Sequence, residues 1–438
     1  FANAVILDDA TGVLLDTGAG IGDVSFNNTL DGTQTLGITA GTGSVTFTGA
    51  VGNTNALAAT TITSATNVTA SSTIDAASLT QTAGTGTTQL VGQVTTSGAV
   101  DLTTINLDID GGINAGGTVD LDGATTILLS SDITTTADNI TFVDDVTLDG
   151  NVLLDTGTGA GDVSFNALLD GTQTLGVTAD TGSVTFTGAV GSGVGTELGA
   201  TTITSATNVT ASSTIEASSL TQTAGTGTTQ TIGLLTTSGA AGIDLNSTVI
   251  TLGNVTTTGT GPLSITNSGL LTLNGTLNLD GLFNQDGAGA VNIFGDITTT
   301  NDDVDFDTAV TLSSGITVNT GAGAGDVSFN NTLDGTQTLG ITAGTGSVTF
   351  AGAVGNTNAL AATTITSATN VTVSSTIDAA SLTQTAGTGT TQLVGQLTTS
   401  GAVDLTTTNL DIDGGINAGS TVDLSGTTTI LLGSDIIC

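Results

Sequence analysis

Short apolar triplets punctuate the chain: VSF at 24–26, VTF at 45–47, VTA at 68–70, LDI at 107–109, ILL at 127–129, VTL at 146–148 and VSF at 163–165. In most of them a large apolar residue alternates with a polar one, which is the period of a strand with one buried face. Between them lie NN, DG and GTG, the residues of tight corners. No helical period persists, and the glycine and β-branched content works against helix. The triplets return roughly every twenty residues. The opening stretch reads as DVSF, TLDG and TLGITA, three short strands per unit. Such a coil predicts a β-solenoid rung, stacked in parallel about 4.8 Å from the next. The phenylalanines keep the same beat. Phe26 and Phe47, Phe165 and Phe186, and Phe329 and Phe350 are each 21 apart, while Phe142 and Phe306 each sit 23 before the next. One rung apart, these rings stack in an interior column.

A longer repetition overlies the beat. GDVSFNNTLDGTQTLGITAGTGSVTF at 22–47 returns unchanged at 325–350, and with four changes at 161–186. Residues 22–135 and 325–438 agree at roughly nine positions in ten. The copies run 1–141, 142–305 and 306–438. Their offsets, 139 from Asp23 to Asp162 and 164 from Asp162 to Asp326, read as seven and eight units of about twenty. Copy two then holds one extra unit, placed after Gln230. The expectation is an all-β, continuous parallel solenoid over 1–438. It has about 22 rungs of roughly 20 residues and is on the order of 100 Å long.

Composition narrows the function. The chain has 38 acidic residues and no Lys, Arg or His, and it also lacks Met, Trp and Tyr. The aliphatic and β-branched content and a mean hydropathy of +0.35 argue for a buried core rather than disorder. A chain without cations is a poor partner for nucleic acid, and anionic membranes and polyanionic glycans are disfavoured for the same reason. Unbalanced carboxylates one rung apart repel by roughly 1 kcal/mol in water, which is tolerable when spread out and keeps a β-protein soluble. No stretch approaches the length of a membrane-spanning helix. Cys438 is the only cysteine, so a disulfide framework is impossible. The start at Phe1, with neither Met nor a leader-like segment, reads as a mature or partial piece of something longer.

Serine–histidine and cysteine–histidine catalysis are excluded by composition, as are zinc sites of the usual kind. Only carboxylates remain, as in glycoside hydrolysis, but the acids recur with the rungs instead of forming one unrepeated cluster. A carboxylate-based polysaccharide-degrading enzyme is the third reading. No residue is assigned as catalytic, cofactor-binding or metal-binding. Calcium bridging between molecules is a hypothesis resting on LDIDGGIN at 107–114 and 410–417 and on NDDVDFD at 301–307, where Asp303, Asp305 and Asp307 share one strand face. The alternative is a solvated outer face. Thr-rich TTITSATNVT at 60–69 and 201–210 raises the question of an ice-binding lattice, but Thr is scattered over several rung positions.

The segment DITTTNDDVDFDTAVTLSSGITVNTGAGAGDVSFNNTLDG at 296–335 resembles the repeat arrays of large bacterial exoproteins of the filamentous-haemagglutinin type, secreted by two-partner or autotransporter routes. The resemblance implies a right-handed parallel β-helix, extracellular or on the cell surface, serving as stalk or adhesin. It carries over no site residue. At the ends, Phe1 corresponds to Phe142, and LLGSDIIC at 431–438 to LLSSDITT at 128–135. One chain's end followed by another's start nearly continues the coil, short by about six residues. Either the chain is an excerpt of a longer array, or copies stack end to end. The expected function is a non-enzymatic structural rod or filament, with a cell-surface or glycan target possible. The alternative is a binding module for ice or neutral glycan along its side.

Overall fold

The computed structural model describes residues 1–193 and 195–438. Among these every element is a strand and every pairing is parallel. They form a β-solenoid of about 21 turns, close to the 22 expected. Two compact units divide the chain: residues 1–217 with 221–226, and 218–220 with 227–438.

In the first unit each turn crosses three walls. Val24–Phe26 lies on the first, Leu30–Asp31 on the second and Leu36–Thr39 on the third; Val45–Phe47 then returns to the first wall, paired with Val24–Phe26. The alternation sorts the side chains. Val24, Phe26, Leu30, Leu36 and Ile38 point inward and are buried, while Ser25, Asp31 and Gly37 face out. Each inward aliphatic or aromatic side chain contributes about 1.5–3 kcal/mol by leaving water. The second unit repeats the scheme, with Val327–Phe329, Leu333–Asp334 and Leu339–Thr342 filling one turn and Val348–Phe350 opening the next.

The predicted stacking of phenylalanines is present. Phe26 and Phe47 lie 5.5 Å apart and nearly parallel, and Phe142, Phe165 and Phe186 form a ladder at 4.7 and 5.4 Å. In the second unit Phe306, Phe329 and Phe350 do the same at 5.3 and 5.6 Å. Stacked rings add about 0.5–1.5 kcal/mol per pair beyond their burial.

The two ladders of the first unit stand on different walls, and this corrects the arithmetic of whole units. Following the pairing upward from Val24 gives Val45, Val68, Thr88, Leu107, Ile127, Val146 and Leu169. Val163, the counterpart of Val24, is on the preceding strand. Its own column runs down through Ile140, Val119, Val100, Leu79, Thr60 and Leu36, which is the third wall. The 139-residue offset is therefore seven turns less one wall. Within the second unit, Thr229 leads by eight pairings to Leu397, and its counterpart Thr391 again lies one strand earlier. The reason is length: along these columns a turn takes 19 to 24 residues, so a period near twenty does not return a segment to its own wall.

Corners set the limits. A Cβ on Gly182 would sit 2.0 Å from the Gly161 carbonyl oxygen, so the GTG and DTG corners admit only glycine where two turns cross. Gly41 has φ of +56°, and its counterpart Asp180 holds φ of +47°. Asp is among the few residues that tolerate this region, and here its Oδ2 accepts from the Gly159 N–H at 2.9 Å.

Candidate functional site

The acidic residues are the only charged side chains available for function, so their surroundings decide what the surface can do. Many sit at corners and accept backbone N–H groups from the next turn. Asp23 Oδ1 accepts from Ser44 N at 2.8 Å, Asp162 from Ser183 N at 2.7 Å and Asp326 from Ser347 N at 2.7 Å, the same bond in all three copies. Asp31 Oδ1 takes two, from Thr54 N and Asn55 N, and Asp334 takes two from Thr357 N and Asn358 N. An ionised carboxylate only accepts, which is what a corner with an unpaired N–H needs. The Thr54 N–H holds the Asp31 carboxyl below its ordinary pKa.

The residues proposed for calcium are placed differently from one another. Asp303 Oδ1 accepts from Asp326 N at 2.8 Å, a corner role. Asp305 and Asp307 do converge, and Asn330 Nδ2 bridges them at 2.8 and 2.9 Å. Burial, then the Asp307 charge, push the Asp305 carboxyl up. In LDIDGGIN, Leu107 and Ile109 point inward and Asp108 outward, where Gln89 Nε2 donates to it at 2.9 Å. Asp411 is bonded likewise by Gln392 at 3.3 Å. Burial, then the Asp110 charge, raise Asp108. Among the described residues no group of three acidic or cysteine side chains is arranged to hold a metal ion.

Two carboxylate pairs arise from stacking, and reading along the chain misses both. Asp101 and Asp120 are register partners on adjacent turns, and burial, then the Asp101 charge, raise Asp120. Asp122 and Asp144 also meet one turn apart. Burial, a hydrogen bond with Asp122 and its charge push the Asp144 carboxyl up. This second pair is unrepeated: Ser425 replaces Asp122 in the third copy. That substitution was the one signal available in the sequence. An unrepeated pair is what a glycosidase would need, but carboxyls of a glycosidase stand about 5 Å or more apart to admit the sugar. These two are bonded to each other.

The outward Thr residues do not form one lattice. On the first wall Thr46 and Thr69 are followed by Gln89 and Asp108; on the third, Thr61 and Thr80 are followed by Asp101 and Asp120. A surface depression of about 430 Å³ lies over Gly340, between Thr317 and Thr364. It exists because TLGIT places glycine outward. Leu14 and Leu153 reach over the equivalent Gly37 and Gly176, whereas Thr317 in the third copy is shorter.

No helix among the described residues is long and apolar enough to cross a membrane. No family model, curated protein or solved structure matches the chain.

Proposed function

We propose that the chain is a non-enzymatic structural protein, a stalk or fibre segment displayed outside the cell. The observation that carries this reading is the wall shift. The same text serves on the third wall as on the first, so what its repetition preserves is the ability to stack. A repeated binding face would gain from returning to one side; these copies do not. The corner carboxylates are engaged with backbone, and the outward rows mix Thr, Gln, Asp, Gly and Leu. Extracellular placement rests on the resemblance of residues 296–335 to filamentous-haemagglutinin-type arrays, and partnership with nucleic acid is disfavoured by the absence of any Lys, Arg or His.

The test is a screen of the purified chain against neutral and acidic glycans together with an ice-recrystallisation assay. A structural role predicts no saturable glycan binding and no inhibition of recrystallisation. Saturable binding abolished by changing one outward row would replace the scaffold reading with that of a binding module.

A further inference from the structure

Where any wall accepts any strand, apolar text alone does not fix which strand lies over which. The degeneracy is greatest at 271–312 in the second unit. There the strands are Leu271–Leu273, Leu277–Leu279, Phe283–Gln285, Val291–Ile293, Ile297–Thr299, Val304–Phe306 and Val310–Leu312. Each is three residues long with both ends buried, and they begin six to eight residues apart. Slid by one strand, apolar side chains would still meet apolar side chains at most positions.

Gln285 breaks that pattern. It points inward at 0% exposure, over Ile265 and under Phe306, and Asn267 is equally buried. The Gln285 amide reaches both neighbouring turns. Its Nε2 donates to Asn267 Oδ1 at 2.8 Å, in the turn below, and to the Gly287 carbonyl at 3.0 Å. Its Oε1 accepts from Thr308 Oγ1 at 3.0 Å, in the turn above. Asn267 Nδ2 in turn donates to the Gly269 carbonyl at 2.6 Å. Other inward polar groups bond differently. The hydroxyls of Thr257 and Thr299 donate to the carbonyls of Gly261 and Asp302, and Gln81 and Gln384 accept from Thr88 and Thr391, all within one turn. Such bonds carry no information about the turn above. The first unit lacks the three-turn network: the counterparts of Gln285 and Thr308, 164 residues earlier, are Leu121 and Asp144.

We infer that Asn267, Gln285 and Thr308 form a register key, which holds the turns of the second unit in one order of strands and acts on specificity rather than stability. In a slid order the amide and the hydroxyl would be left without partners in an apolar interior, a penalty that apolar strands do not impose. Buried polar groups fix register in this way where hydrophobic packing is degenerate, and apolar residues of similar volume in their place cost little or stabilise. The key rests on the equivalence of the walls and is independent of any role outside the cell.

The test uses the full chain with Cys438→Ser and spin labels on Ser264→Cys and Thr349→Cys. These outward positions share one row, four pairings apart through Asn284, Asp305 and Ser328, with the network between them. In the parent, pulsed electron resonance should give one distance, from backbones about 19 Å apart. Asn267→Leu with Gln285→Leu and Thr308→Val should melt at or above the parent and show at least one further distance. Gln285→Leu alone, which orphans Asn267 and Thr308, should melt below both. A triple variant with only the parental distance would overturn the key, and so would one that melts well below the parent or fails to fold, because the network would then supply stability and not register.

Discussion

Phe26 and Phe165 occupy the same place in the repeated text and stand on different walls of the solenoid. Phe26 lies under Phe47 on the first wall; Phe165 lies between Phe142 and Phe186 on the third. A wall in this fold is a row of inward Val, Ile, Leu and Phe with small polar residues outward. Any segment with that pattern satisfies any wall, because each strand answers only to those directly above and below it.

The ladders should be local strongholds. Phe165 is buried with a stacked ring on each side. Phe165→Ala is expected to cost about 3–5 kcal/mol. The loss should appear in hydrogen exchange as reduced protection of the strands at 140–142, 163–165 and 184–186, with distant turns unchanged.

Corner glycines should resist even one methyl group. Gly182→Ala places a Cβ 2.0 Å from a backbone oxygen that cannot rotate away. The expected loss is about 1–3 kcal/mol, measured by chemical denaturation. Gly195→Ala in the same unit, where a Cβ meets nothing within 4 Å, separates crowding from backbone strain because its φ of +74° imposes only the latter.

Stability should rise as the solution is made mildly acidic and fall at stronger acidity. Asp108, Asp120, Asp144 and Asp305 have folded pKa values above their ordinary 3.8, so protonation favours the fold, and stability grows as pH falls through those raised values. Asp9 and Asp31 are held below 3.8; the stability they contribute is present above that value and is lost as pH falls through their folded values. A maximum near the ordinary carboxyl value of 3.8, where the gain ends and the loss begins, is the expected result in thermal denaturation. A monotonic decline from neutral pH would contradict it.

Removing one carboxylate of the unrepeated pair should relax the other. Asp122→Ser, the residue of the third copy, is expected to lower the Asp144 pKa toward its ordinary value and to stabilise the chain at neutral pH but not below pH 3. Carboxyl carbon NMR titration of Asp144 reads the first effect and thermal denaturation the second.

Much of this was legible in the chain. The 21- and 23-residue spacing of phenylalanines foretold which rings stack, because neighbouring turns fix that relation locally. Wall assignment was hidden. Turns vary from 19 to 27 residues and no residue marks a corner uniquely, so counting in twenties mistook seven turns less a wall for seven turns. The meeting of Asp122 with Asp144 was hidden for the same reason. Each is unremarkable in its own segment, and only the register of stacking brings them together. Asp180 shows a different limit: the sequence marks the change from Gly41, but only the backbone reveals a left-handed corner that Asp accepts.

The most direct test of interchangeable walls is to delete residues 24–162, joining Asp23 to Val163, and to follow unfolding by far-ultraviolet circular dichroism. The deletion moves every later segment of the first unit onto a different wall while restoring the local text at the join. The expected product keeps the parallel-β spectrum per residue and melts within a few degrees of the parent. Loss of the β signal, or a fall in Tm of more than about 10 °C, would mean that the walls are not equivalent and that the repeated segments are tied to the sides on which they stand.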